Sequence, residues 1–443
     1  MKFDQIMSLL DDKEYVLLKE ALLELKAPDI AEIIDELDSK SGLLVFRLLP
    51  KELAVDVFSF LSSDSKGSIS RLVHEKELQE IVNELFFDDM IDFLEEMPAN
   101  VVKRILINTP ESKRKLINQF LNYPDDSAGS VMTIEFVSLR KEMTVEEALS
   151  KIRATALEKE TVYTCYVMDH ERHLEGIVTL KDLVLHSLTE KIEDIMHRDV
   201  ISVTTLDNQE RAAELFKKYN FLAMPVTDHE NRLVGIITVD DIMDVVDEEY
   251  TEDLHKMATV GELDTTILNA SPSLLIKKRL PWLLILVFVN IFSGAGIASF
   301  EETIQSVISL VFFLPLLIDS AGNAGSQSAA LMIRALALGD VDTEDWFDLL
   351  KKEVMVSISL GICMALAVSV LGFYRGGMDL AIIVSLSMAI VVIIGSLIGM
   401  LLPFIFDRIN IDPAAASGPL VTSIADIAGV LIYFSIATWY LGL

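Results

Sequence analysis

Five apolar runs close this 443-residue chain, at roughly 281–300, 304–338, 353–374, 379–405 and 413–441. Each supplies about the 20 apolar residues that a helix needs to cross a hydrocarbon core, so a membrane domain of five helical spans is expected over 274–443. The second run is interrupted by Pro315 and by "AGNAG", which predicts a kink or break there. What precedes these runs has a different character. The whole chain combines a mean hydropathy of +0.41 with a net charge of −31. Residues 1–273 hold 29 Lys+Arg against 55 Asp+Glu, and residues 274–443 hold 8 against 13. An acidic soluble region therefore leads into an apolar one.

The acidic balance argues against nucleic acid as a partner, because phosphate binding needs Lys and Arg. It suits a cation, or solubility alone. Two cysteines, Cys165 and Cys363, fall in different regions and imply no disulfide framework. The opening "MKFDQIMSLLDDKEYVLLKE" has no apolar core of signal-peptide length, so the soluble region is expected in the cytosol. Short-loop bases then set the orientation. Lys277, Lys278, Arg279, Arg334, Lys351, Lys352 and Arg408 fall inside and Arg375 outside, with the C-terminus outside.

Two spans carry polar residues. "LIDSAGNAGSQSAALMIR" contains Asp319, Asn323, Ser326, Gln327, Ser328 and Arg334. "DPAAASGPLVTSIADIAG" contains Ser417, Thr422, Ser423 and Asp426. A carboxylate at bilayer depth costs roughly 2.5–3.5 kcal/mol on insertion scales and marks an ion path by default. The Ser and Thr residues also suit plain helix–helix hydrogen bonding. Asp426 has no Lys or Arg in its own span. "SGP" suggests local unwinding, tolerated where backbone lines a cavity.

The soluble region divides in two. In residues 131–250, "LEGIVTLKDL" (174–183) recurs as "LVGIITVDDI" (233–242), 59 residues on. Each copy follows an amphipathic helical stretch and a strand-like piece, a strand–helix–strand–turn–strand–helix unit. The doubled unit resembles a tandem pair of CBS modules, which implies an adenine nucleotide such as ATP as candidate ligand. The matching positions are Thr179 with Asp182 and Thr238 with Asp241; Thr-x-x-Asp is equally a helix-cap signature. Residues 1–130 show short helical patterns beginning near Pro28, Pro50 and Pro98, which suits proline in a first helical turn. They predict a superhelix of helix pairs repeating about every 24 residues.

An acidic run follows the repeat: Asp240, Asp241, Asp244, Asp247, Glu248, Glu249, Glu252 and Asp253. On a helix, Asp241, Asp244, Glu248 and Glu252 lie close to one face. Either that face is simply solvated, or a hard divalent cation relieves it, since Mg²⁺ and Ca²⁺ take oxygen ligands. No EF-hand loop is present, the histidines lack metal-binding spacing, and neither a Walker sequence nor a catalytic constellation is found. The chain reads as a non-enzyme.

In this order — acidic helical domain, CBS pair, acidic connector, then five spans with "GNAGSQS" and "DPAAASGPLVTSIADIAG" — the chain resembles the MgtE family of magnesium channels over essentially its whole length. The resemblance implies a multidomain protein: an all-α superhelical N-domain, an α/β tandem CBS pair and an α-helical membrane domain. It implies a homodimer in the cell membrane with one pore on the two-fold axis. Asp426 would be the pore aspartate, with Ser417 and Thr422 beside it and Asp412 at the cytosolic start of the fifth span. Residues 251–273 would form a helix plugging the cytosolic mouth. Asp56, Asp88, Asp89 and Asp92 would be regulatory Mg²⁺ ligands facing the CBS pair, together with the acidic run. The expected function is voltage-driven Mg²⁺ uptake, shut by cytosolic Mg²⁺. The alternatives are a coupled divalent-cation carrier and a membrane-anchored nucleotide or metal sensor.

Overall fold

A twelve-residue rhythm organises the N-terminal region of the computed structural model. Helices begin at residues 15, 27, 39, 51, 63, 75, 87, 99 and 111, after a first helix Lys2–Asp11. Two helices per 24 residues make the expected repeat of pairs. Their starts are set locally. Asp38 and Ser62 cap with their side chains, while Pro50, Pro98 and Pro110 stand at N-cap positions and Pro28 lies within a first turn, where no intrahelical donor is lost. The apolar positions of each helix turn inward. Phe46, Phe58 and Phe93 form a chain of tilted and edge-on rings, and Phe87 meets Phe120 edge-on at 4.7 Å. The structure describes residues 2–443 apart from 262, 264–266, 268, 269, 338, 339, 342–344 and 410.

Two three-stranded sheets follow with one topology. β1 (Val137–Leu139) runs parallel to β2 (Thr164–Met168), which pairs antiparallel with β3 (Leu174–Thr179). β4 (Val203–Thr204), β5 (Ala223–Thr227) and β6 (Leu233–Thr238) repeat this order. Even the irregularity recurs, between Val167 and Met168 and between Val226 and Thr227. The glycine of each repeat is required by close approach. A Cβ on Gly176 would lie 2.8 Å from the His197 carbonyl, and one on Gly235 2.7 Å from the Thr133 carbonyl. One apolar core joins the ten helices to the second module through Met132, Phe216, Met224, Ile237 and Ile242.

The chain divides into two units, Met1–Asp247 and Glu248–Leu443, and the helix Val239–Met257 carries it from one to the other. The second unit holds the long apolar helices Pro272–Ala298, Leu314–Ala337, Trp346–Arg408 and Gly418–Leu441. At 63 residues, Trp346–Arg408 is far too long for one crossing. It breaks at Gly376 and Gly377, where Gly377 adopts φ +76° and ψ −162°, backbone that is essentially glycine-only. The two arms, 346–375 and 378–408, are the third and fourth spans, which brings the number of apolar helices long enough to cross a membrane to five among the described residues.

Three expectations about element limits need correction. The second span does not break at "AGNAG": the helix runs unbroken over Leu314–Ala337, and the irregular stretch lies earlier, at Val307 and the 3₁₀ turn Ile308–Phe312. Pro315 sits in the first turn, where it does not interrupt the ladder. The expected plug helix over 251–273 ends at Met257, Ala258–Gly261 are not helical, and the next helix starts at Pro272; residues 262, 264–266, 268 and 269 of that segment lie outside the described residues. The fifth span's helix starts at Gly418, after a 3₁₀ turn Pro413–Ala415 and the N-cap Ser417.

Candidate cation sites

Helices Leu314–Ala337 and Gly418–Leu441 lie together because small residues let them. A Cβ on Gly322 would stand 2.7 Å from the Thr422 side chain, and one on Gly325 2.8 Å from both Val421 and the Gly395 carbonyl. Ser326 Oγ donates to the Gly418 carbonyl (3.2 Å) and shares a hydrogen bond with Thr422 Oγ1 (3.1 Å). Ser326 pairing with Gly418 and Thr422, and the Leu310 carbonyl accepting from Tyr433 Oη at 2.9 Å, fix the two segments as antiparallel. Asp426 stands eight residues into its helix, about 12 Å from the start. Its Oδ1 is buried with no protein partner among the described residues, and so is the Ser417 hydroxyl. Thr422, by contrast, is occupied by Ser326.

The structure gives Asp412 a different setting. Its Oδ1 accepts from the Ala414 N–H (2.7 Å) and caps the 3₁₀ turn; its Oδ2 accepts from Lys256 Nζ (2.6 Å). Lys256 also pairs with Glu252. Burial works against the Lys256 ammonium, but the hydrogen bonds to Asp412 and Glu252 outweigh it and hold its pKa above the usual lysine range. Asp253 is pushed up to about 6, by burial first and then by Asp412. Met257 packs on Ile333, Ala414 and Ala416, and the Gly261 N–H donates to the Lys278 carbonyl (3.0 Å).

In the N-terminal unit, acidic side chains gather around Asp88, which is 7 % exposed. Asp89 and Asp92 come from the same helix, Asp240, Asp241 and Asp244 from the Val239–Met257 helix, and Glu135 and Glu160 from the segments flanking β1 and β2. Burial raises the Asp88 carboxyl, and the Asp240 charge adds to it. Asp89 is pushed up to about 6 by burial and then by Asp88. Asp92, at the solvent edge of the group, rises to about 7 from the same two causes. Asp241 and Glu160 both reach about 8, again from burial first and Asp88 second. Asp244 is raised by burial and by Asp247. Lys66, 8 % exposed, opposes these shifts at Asp89 and Asp92. The Lys113 and Lys159 ammoniums act likewise on Glu135, and the group is still an excess of buried negative charge. Among the described residues no three His, Cys, Asp or Glu side chains already stand in an arrangement that holds a bare metal ion.

This geometry sorts the sequence candidates. Asp88, Asp89, Asp92, Asp240 and Asp241 come together, with Asp244 and Asp247 at the edge. Asp56 is exposed on the separate helix Lys51–Ser59 and is not among the charges acting on that group. The acidic run does not act as one face. Glu252 serves Lys256, Glu249 acts on Asp253, and Glu248 lies exposed on the same helix in the second unit. Glu135, Glu160 and Lys66 were not anticipated. None belongs to a run of acidic residues in sequence, and only the packing brings them in; the Phe87 N–H donates to Glu135 Oε2 at 3.2 Å.

The Thr–Asp pairs of the repeat are helix caps. Thr179 Oγ1 donates to Asp182 Oδ2 and Thr238 Oγ1 to Asp241 Oδ2, each at 2.6 Å. Thr179 nevertheless lines a cavity of about 440 Å³ with Tyr163, Lys181, Asp199, Asn220 and Phe221, within the usual size range for small-molecule sites. Asp182 is not part of its wall; it sits 3.3 Å from His197 Nε2. The equivalent Asp241 belongs to the acidic group.

Comparison with known proteins bears on each part. Residues 314–436 match the divalent cation transporter family MgtE, residues 25–126 its intracellular N domain, and residues 128–188 and 192–248 the CBS domain. The magnesium transporter MgtE of Thermus thermophilus is 36 % identical over 95 % of this chain and 94 % of its own length. That of Bacillus subtilis is 35 % identical over 94 % and 95 %. Among solved structures, the cytosolic domain of the Mg²⁺ channel MgtE in complex with ATP is similar at 35 % identity with a TM-score of 0.52, covering 55 % of this chain and 99 % of that one. The soluble part of a magnesium transporter gives the same score at 31 % identity, over 56 % and 98 %.

Proposed function

The chain belongs to the MgtE family, and from that premise we propose that it carries Mg²⁺ across a membrane through a path at Asp426. It is a multi-pass membrane protein and, like the transporters it matches over most of its length, not an enzyme. The observation that carries the reading is the Asp426 carboxylate: an oxygen buried in an apolar helix with no protein partner among the described residues and no base along that helix. Such a group needs a countercharge from outside the chain, and a permeant cation supplies it. Mg²⁺ gives up its water reluctantly, so a few carboxylates hold it through its hydration shell. In a homodimer, Asp426 from each copy would flank one path. Entry is driven by voltage at about 2.3 kcal/mol per charge per 100 mV, and about twice that for a divalent ion.

The same ion closes the path. The group around Asp88 carries excess buried charge that protons relieve in its absence. Hydrated Mg²⁺ bridging the helical domain to the second CBS module would relieve it better, and would favour the state in which those acids lie together. The N-terminus lies in the cytosol, where this sensor reads the ion already imported. The cavity at Thr179 takes an adenine nucleotide such as ATP, as the cytosolic domain of the similar channel does. The test is Mg²⁺ uptake into proteoliposomes under an imposed potential. Uptake should follow the potential and fall as Mg²⁺ on the sensor side rises into the millimolar range. Uptake independent of potential, or dependent on a proton or sodium gradient, would replace the channel with a coupled carrier.

A further inference from the structure

We infer that Asp319 is a second ion-attracting carboxylate of the transport path, level with Asp426 and setting the preference for a divalent ion; this rests on the reading of Asp426 given above. Gly322 meets Thr422, and the two helices run antiparallel. One turn from that contact in opposite directions leads to Asp319 on one helix and Asp426 on the other, on the same facing sides. The Asp319 charge accordingly bears on Asp426.

The surroundings of Asp319 give its charge little to do within the chain. One amide, Asn323 Nδ2, donates to its Oδ2 at 3.3 Å, which leaves most of the carboxylate's acceptor capacity open. The only base on its helix is Arg334, fifteen residues on and about 22 Å away along the axis. Asp319, Asn323 and Gln327 recur every four residues and are all exposed, so they form one polar stripe that no other described element of this chain covers. Lipid is a poor neighbour for such a stripe, because a carboxylate at depth costs several kcal/mol. Water and a hydrated cation are good ones. In a homodimer the two Asp426 carboxylates alone carry two negative charges; Asp319 from each copy makes four, and the attraction of that field for a divalent ion is twice that for a monovalent one.

The test compares Asp319→Asn, Asp319→Glu and Asp426→Asn in the full chain, with Mg²⁺ alone as the probe. Uptake into proteoliposomes is measured across a Mg²⁺ series, with sodium leak measured in parallel. For Asp319→Asn the half-saturating Mg²⁺ should rise about tenfold, equivalent to about 1.4 kcal/mol, and sodium should leak more. Asp319→Glu should stay within about threefold of the unsubstituted chain, the charge being kept. If Asp319→Asn does not give a monodisperse protein, Asp319→Ser supplies the same comparison. A wild-type Mg²⁺ curve for the Asn or Ser variant, with Asp426→Asn impaired, would overturn this inference and leave the role of Asp426 standing. A wild-type curve for Asp426→Asn would overturn both.

Discussion

Asp89→Asn measures what it costs the helical domain to gather carboxylates without an ion. In the folded protein the Asp89 carboxyl is pushed up to about 6 from 3.8, by burial first and by Asp88 second. A shift of about two units corresponds to ~3 kcal/mol at roughly 1.4 kcal/mol per unit. The sign follows from proton binding. Below pH ~4 the group is protonated whether folded or not, and costs nothing. Between about 4 and 6 the folded state holds its proton more tightly, so stability falls as pH rises, and above about 7 the loss is complete. Asparagine never ionises. The variant of the soluble region, residues 1–250, should therefore melt with the unsubstituted fragment near pH 4. At pH 8 without divalent ions it should melt higher by roughly 6–12 °C, at 2–4 °C per kcal/mol for a domain of this size. Millimolar Mg²⁺ at pH 8 should raise the unsubstituted fragment and narrow the gap. Calorimetry at both pH values decides the matter. An Asn variant no more stable at pH 8, or a gap that does not change with pH, would refute the view that this group stores uncompensated charge.

Three further outcomes are expected. Asp426→Ala should abolish Mg²⁺ uptake while the protein still elutes and melts as a folded species, since an apolar residue costs less in lipid than a carboxylate; uptake at the unsubstituted rate would remove Asp426 from the path. Lys256→Met leaves Glu252 and Asp412 without the ammonium between them, so residues 248–261 should be cut faster by a glutamate-specific protease without Mg²⁺ and regain protection when it is added. Gly399→Ala would set a Cβ 1.9 Å from the Gly325 carbonyl, a clash with rigid backbone that should lower yield and melting temperature severely, by more than ~3 kcal/mol if the helices part; Gly294→Ala, with nothing near it, should behave as the unsubstituted chain.

The sequence by itself determined what depends on composition and short-range order. Apolar length gave five spans. The 59-residue repeat gave two like modules, and the structure reproduces it down to the matching irregularities at Val167 and Val226. Proline gave the helix starts near residues 28, 50 and 98, because a proline in a first turn acts locally, whereas the starts after Glu14, His74 and Phe86 carry neither a proline nor a capping side chain. Asp426 stood out because a carboxylate among apolar neighbours is costly wherever the helix packs. Tertiary structure alone decided which charges meet. Asp56 and Asp88 are equally acidic in sequence, yet burial collects Asp88 with Glu135 and Glu160 and leaves Asp56 in solvent. The acidic run reads as one face, but the unit boundary after Asp247 gives its first half to the Asp88 group, while Glu252 and Asp253 lie with Lys256 and Asp412. Asp319 became informative only through the antiparallel register of two helices. The reason is common to all three: a side chain's partners across the fold are set by the packing of apolar faces, which ignores charge and sequence distance, and electrostatic energy depends on the separations that this packing leaves.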